Sequence, residues 1–196
     1  IMGEVYESVG LYAPAESLTT KALDIRKRVL GPEHPDTLES TSDLASVFRK
    51  QGRYTEAERL ASETLEIRKG VLGPEHPDTL NSMNQLAIVY YDQGRYPEAE
   101  RLHSETLEIR KRVLGTEHPR TLESMNNLAL VYWKQGRFPE EGRLHSETLE
   151  IRKRVLGREH PSTLASMINV AGSYWKQGRY PEAERLYSEA IEMEKR

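Results

Sequence analysis

Apolar and polar positions along this chain recur with helical spacing. In the stretch 116–157, Leu122, Met125, Leu128, Ala129 and Tyr132 follow one another every one to four residues and fall on one face of a helix. Pro119 suits a first turn, where its missing N–H would be unpaired anyway, and Gly136 can take the left-handed conformation that ends a helix. The spacing predicts a helix near 119–135. A second stripe, Leu144, Thr148, Leu149, Ile151, Val155 and Leu156, predicts a second helix opened by Pro139 and closed by Gly157. A proline also opens the second helix at Pro97 and Pro181. No stretch shows the strict alternation of a strand, so the expected class is all-α.

This two-helix pattern is repeated without insertion or deletion. Residues 74–115 match 116–157 with 10 differences in 42 positions. Gln-Gly-Arg recurs at Gln51, Gln93, Gln135 and Gln177, and Glu-His-Pro at Glu33, Glu75, Glu117 and Glu159. Units are therefore expected at 32–73, 74–115, 116–157 and 158–196, with 1–31 as a partial unit. A fixed period of this size marks a stacked array in which each unit buries its core against its neighbours.

Composition narrows the function classes. The formal net charge of −3 in 196 residues gives no reason to expect nucleic acid or an anionic membrane as partner. There is no cysteine, which removes thiolate chemistry and fits a reducing compartment. No apolar run approaches the roughly 18 residues of a spanning helix. A cytoplasmic protein without cofactors is expected.

The unit resembles the tetratricopeptide repeat. The likeness rests on Leu128-Ala129, Tyr132, Gly136, Phe138, and an alanine near the start of the second helix (Ala57, Ala99, Ala183). The 42-residue form, with Asn126-Asn127-Leu128-Ala129 and a Leu-Gly-x-Glu-His-Pro linker, is similar to the repeats of kinesin light chains and nephrocystin-type proteins. It also resembles the arrays of NOD-like receptor proteins, whose copies are likewise nearly identical. The resemblance implies a right-handed superhelical solenoid, with first helices lining a concave groove and second helices behind. It implies a non-enzymatic scaffold that holds a protein or peptide segment. Unit 116–157 departs from the pattern with Glu141-Gly142 where the other copies have Ala-Glu. A charged side chain at that helix crossing is expected to tilt outward and loosen the first turn.

By the same resemblance, candidate groove residues are Asn84, Tyr91, Asn126, Leu130, Trp133, Lys134, Asn169, Trp175 and Lys176. One row reads Arg49, Tyr91, Trp133, Trp175, and the next Lys50, Asp92, Lys134, Lys176. Trp, Tyr and Arg are over-represented at binding hot spots, though these rings could instead pack on a neighbouring helix. The lysine row could favour an acidic ligand. Asparagine amides carry both donor and acceptor and can pair with a ligand backbone whatever its sequence. The asparagine–lysine clamp of chaperone-binding members is missing, since Asn84 pairs with Ile88 and Asn126 with Leu130.

Other motifs recur once per unit, which argues for structure. His34, His76, His118 and His160 should lie about 10 Å apart in stacked layers, too far for a shared metal. His103 and His145 replace Ala61 and Tyr187 and read as packing. The basic runs at Arg26, Arg68, Arg110 and Arg152 sit in last helical turns, where positive charge complements the helix dipole, and are expected to be solvated. No nucleophile elbow, phosphate loop or zinc spacing is present. The alternative to peptide binding is self-assembly. The sequence is expected to be part of a longer protein, and Leu186, Ala190, Ile191 and Met193 are expected to leave an apolar edge through which it oligomerises.

Overall fold

The computed structural model describes residues 12–195. Among the described residues there are nine α-helices and no strand. They are α1 (Tyr12–Leu30), α2 (Pro35–Lys50), α3 (Tyr54–Leu72), α4 (Pro77–Asp92), α5 (Tyr96–Leu114), α6 (Pro119–Lys134), α7 (Phe138–Leu156), α8 (Pro161–Lys176) and α9 (Tyr180–Glu194). First helices start at 35, 77, 119 and 161, a period of 42 residues. The fold is the all-α helix-pair array that the sequence predicts.

Each first helix begins the same way. His118 is the N-cap of α6, in extended conformation, and its Nδ1 accepts from the Arg120 backbone N–H at 3.1 Å. His34, His76 and His160 do likewise. A cap satisfies one of the donors that every helix start leaves unpaired. The linker histidines thus have a local job that metal arguments never reach. At the other end Gly136 has φ +74, and the Arg137 N–H bonds back to the Tyr132 carbonyl at 2.9 Å. The Arg137 guanidinium then lies 4.2 Å from the Tyr132 ring centroid and bonds Glu140 at 2.9 Å. Phe48 with Arg53, Tyr90 with Arg95 and Tyr174 with Arg179 make the same stack. The Gln-Gly-Arg motif therefore fixes the turn between the two helices of a pair through a cation–π contact.

The described residues divide into two compact units, 12–102 and 103–195. In the first, α2 packs on α1 and α3, and α4 on α3, around Leu38, Leu44, Leu60, Leu80, Met83 and Leu86. In the second, Leu107, Leu122, Met125, Leu128, Ala129, Leu144 and Ile151 form one buried cluster, with Tyr132 against it. Leu149, Met167, Val170 and Ala190 form another. Complete burial of Met125 contributes about 1.5–3 kcal/mol.

Three expectations need correction. Val155 and Leu156 are exposed, not part of the apolar face. α7 has 19 residues against 16 in α6, so its last turn runs about 4.5 Å further than the helix it pairs with. The basic runs are not solvated throughout. Arg110 is 2% exposed and donates to the Arg120 carbonyl at 3.0 Å and to Ser124 Oγ at 2.9 Å. Arg26, Arg68 and Arg152 make the equivalent pair of bonds. One arginine per run is a strut from the end of a second helix to the next first helix. Finally, Ala190 is buried and Leu186 and Met193 pack on its cluster, which leaves Ile191 as the large aliphatic side chain exposed on α9.

Candidate functional site: a cavity lined by α6, α7, α8 and α9

In the second unit, Asn126, Leu130, Trp133, Asn169 and Lys176 line one cavity of about 520 Å³, together with Glu141, His145, Ile168, Gly172 and Tyr187. Five of the nine groove candidates thus meet at one place. Helical spacing explains the two walls. Asn126, Leu130 and Trp133 stand on successive turns of α6, and Asn169, Gly172 and Lys176 on successive turns of α8. Leu130, Trp133 and Ile168 are exposed although large and apolar.

Of the other candidates, Lys134 belongs to the rim, its Nζ 4.7 Å from the Trp133 ring centroid. Trp175 stands outside the lining. It is 58% exposed and meets Tyr180 edge-on at 4.9 Å. Asn84 and Tyr91 belong to the first unit, where Tyr91 meets Tyr96 edge-on at 5.7 Å. In that unit two of the three charged members of the candidate rows pair, with Arg49 donating to Asp92 at 2.6 Å.

Glu141 overturns the expectation that it tilts outward. It is 3% exposed. Its place on α7 is that of Ala57, Ala99 and Ala183, which are fully buried, so its Cβ is aimed inward by the helix itself. Gly172 stands where the other first helices carry Leu130, Ile88 and Ser46, and a Cβ there would meet the Tyr187 hydroxyl at 3.5 Å. Glu141 Oε1 accepts from Lys176 Nζ at 3.2 Å and lies 3.8 Å from His145 Nε2. Its Oε2 is buried without a partner, and so is Asn126 Oδ1. The Lys176 ammonium also sits 4.8 Å from the Trp133 ring centroid. Burial, with Lys176 and Arg152 nearby, pushes the His145 pKa down to about 4, so its ring is neutral near pH 7. The sequence carried the signal in Glu141 itself, a charged residue at a place where the other copies have alanine.

Among the described residues no cluster of three or more His, Cys, Asp or Glu is placed to hold a metal ion. No described helix is long and apolar enough to cross a membrane.

Known proteins give the geometry its context. A tetratricopeptide repeat family model matches residues 1–69, 41–111, 82–141 and 142–196, and a second of the same description matches 121–162. No curated protein matches the chain. Among solved structures, one from Podosopora anserina, designated a kinesin light chain with nearly identical TPR-like repeats, is 31% identical with a TM-score of 0.87. That match covers 98% of this chain and 91% of the other. BtubC (BKLC) from P. vanneervenii is 24% identical with a TM-score of 0.82, over 97% of this chain and 76% of the other. The Rap conjugation gene regulator of plasmid pLS20, solved with the Phr* peptide, is 18% identical with a TM-score of 0.72, over 97% and 51%. Repeated family matches along the sequence and a 31% identical relative aligned over nearly its whole length place this chain in the tetratricopeptide repeat family, with kinesin light chain-like proteins among its structural relatives.

Proposed function

We propose that the chain is a protein-interaction scaffold that binds an extended peptide or protein segment along the faces of its first helices. The observation that carries this is the α6–α9 cavity, where exposed Leu130, Trp133 and Ile168 surround unpaired polar atoms of Asn126 and Glu141. A soluble surface seldom leaves such a patch without a use. Members of this fold commonly act as interaction scaffolds, and the Rap regulator of pLS20 was solved with a peptide. Within the second unit, the repeats 116–157 and 158–196 would then each present one first helix to the ligand. Asn126 and Asn169 would hydrogen-bond its backbone and Trp133 would anchor one of its side chains.

Selection from a random peptide display library, followed by calorimetry, tests this. Binders should lose about tenfold or more in affinity with Trp133→Ala. Failure of any peptide to bind, or binding indifferent to Trp133→Ala, would overturn the reading.

A further inference from the structure

We propose that the α6–α9 cavity is a receptor for one arginine side chain of that ligand, with Lys176 as its displaceable internal occupant. The inference rests on the peptide-binding reading and adds the chemistry of its anchor. Three helices bring acceptors to one cavity: Asn126 from α6, Glu141 from α7 and Asn169 from α8. Two of the acceptor atoms, Glu141 Oε2 and Asn126 Oδ1, are buried and unsatisfied. An unmatched oxygen on a buried carboxylate is costly, and a donor supplied from outside relieves that cost.

Lys176 shows what the cavity accepts. Its ammonium is held between a carboxylate at 3.2 Å and an indole ring at 4.8 Å, which is a built site for a cation. Lysine is an incomplete occupant. It is a point charge, and it uses Oε1 alone. A guanidinium is a planar fork that can span both carboxylate oxygens, offer a further N–H to Asn126, and stack on Trp133. Lys176 is about one-third exposed, so its side chain can leave for solvent without moving a helix. His145 does not compete, because its neutral ring brings no positive charge near pH 7. Nor does an acidic ligand fit the floor, where both unpaired atoms are acceptors.

The equivalent sites elsewhere lack the feature. Ala57, Ala99 and Ala183 stand at the place of Glu141. Arginine recognition would therefore belong to this one repeat and set the register of the peptide there.

The test uses acetyl-Gly-Gly-Arg-Gly-Gly-amide beside the same peptide with lysine or citrulline, titrated by NMR and Trp fluorescence. Arginine should bind at least tenfold more tightly than citrulline, which has the shape without the charge. Glu141→Ala should abolish that preference, and alanine at this place in three other copies argues that the variant folds. Lys176→Met should strengthen arginine binding several-fold and give a larger ligand-induced rise in Tm. Equal binding of arginine and citrulline, a preference that survives Glu141→Ala, or weaker binding in Lys176→Met would each overturn the proposal. If library peptides bind in a Trp133-dependent way without arginine enrichment, the arginine pocket falls and the peptide reading stands. If no peptide binds at all, both fall.

Discussion

The Lys176 ammonium lies 3.2 Å from Glu141, a carboxylate that is 3% exposed. A buried ion pair is weak evidence for stability, because desolvation offsets most of the attraction. Removing one partner is a different matter, since it strands the other. Lys176→Met should destabilise the protein by about 3 kcal/mol, whereas Glu141→Ala should stay within about 1 kcal/mol of the wild type. The double variant should recover most of the loss. Urea unfolding of the four proteins measures the cycle, and equal losses in both single variants would contradict it.

Two buried histidines set an acid limit. Burial, with Arg110 nearby, pushes His103 down to about 4, and His145 is pushed to about 4 by burial with Lys176 and Arg152. The Glu141 carboxylate faces His145 as well, but it is already engaged by Lys176. Each folded pKa lies below the ordinary value of 6.5, so the unfolded chain binds more protons between pH 6.5 and 4. Stability therefore falls as pH drops through that window and levels off below it, by up to about 3 kcal/mol per histidine. Glu58 and Glu98 are held below the usual carboxylate range by Arg95 and, for Glu58, Gln93, so their loss comes at lower pH. A series of melts from pH 7.5 to 4.5 should show the decline. Replacing both histidines by alanine, the residue at Ala61, should flatten it.

The Arg110 strut predicts a large effect from a residue that reads as surface. It is 2% exposed and bonds the Arg120 carbonyl and Ser124 Oγ, linking α5 to α6. Arg110→Ala removes both bonds, leaving Ser124 Oγ paired with the Arg120 carbonyl, and opens a cavity, at a cost of about 3 kcal/mol. Lys111, on the next position of the same run, is partly exposed, and its alanine variant should cost under about 1 kcal/mol. Chemical denaturation that ranks the two variants equally would refute the assignment.

The period, the helix pairs and the turn glycines were legible because each is a local signal repeated in register. Pro119 and Gly136 say where α6 begins and ends before any packing is known. Glu141 was legible only as an anomaly. Local propensity prefers a charge at the surface, but the direction of a side chain is fixed by the helix that carries it, and α7 aims that position at its neighbour. The charge that answers it lies 35 residues away, at Lys176. Arg110 was misread for a similar reason: its partners, the Arg120 carbonyl, the Ser124 hydroxyl and the Glu123 carboxylate, all lie on another helix, out of reach of a local reading. Trp133 and Trp175 share a row, yet only Trp133 lines the cavity, because Trp175 meets Tyr180 instead.

Gly142 offers the last prediction. In the first unit, the residue at its place is Glu58, which accepts from Gln93 Nε2 at 2.8 Å and from Arg95 at 2.9 Å. Glu16 makes the same pair of bonds with Gln51 and Arg53. Gln177 and Arg179 are the corresponding donors in the second unit, but Gly142 gives them no carboxylate. Gln177 donates to the Phe138 carbonyl at 3.0 Å, as Gln93 does to the Tyr54 carbonyl at 3.4 Å. A Cβ at 142 would come within 2.9 Å of Gln177 Nε2, the far end of a flexible side chain that would have to shift anyway to bond a new glutamate. Gly142→Glu should therefore raise stability by about 1–2 kcal/mol, roughly half from helix propensity and half from the restored bonds. Gly142→Ala should gain less, because it displaces Gln177 without giving it a partner. Thermal and urea unfolding of the two variants, with glutamate above alanine, is the expected order; the reverse order would show that the donors at 177 and 179 do not rebuild the network.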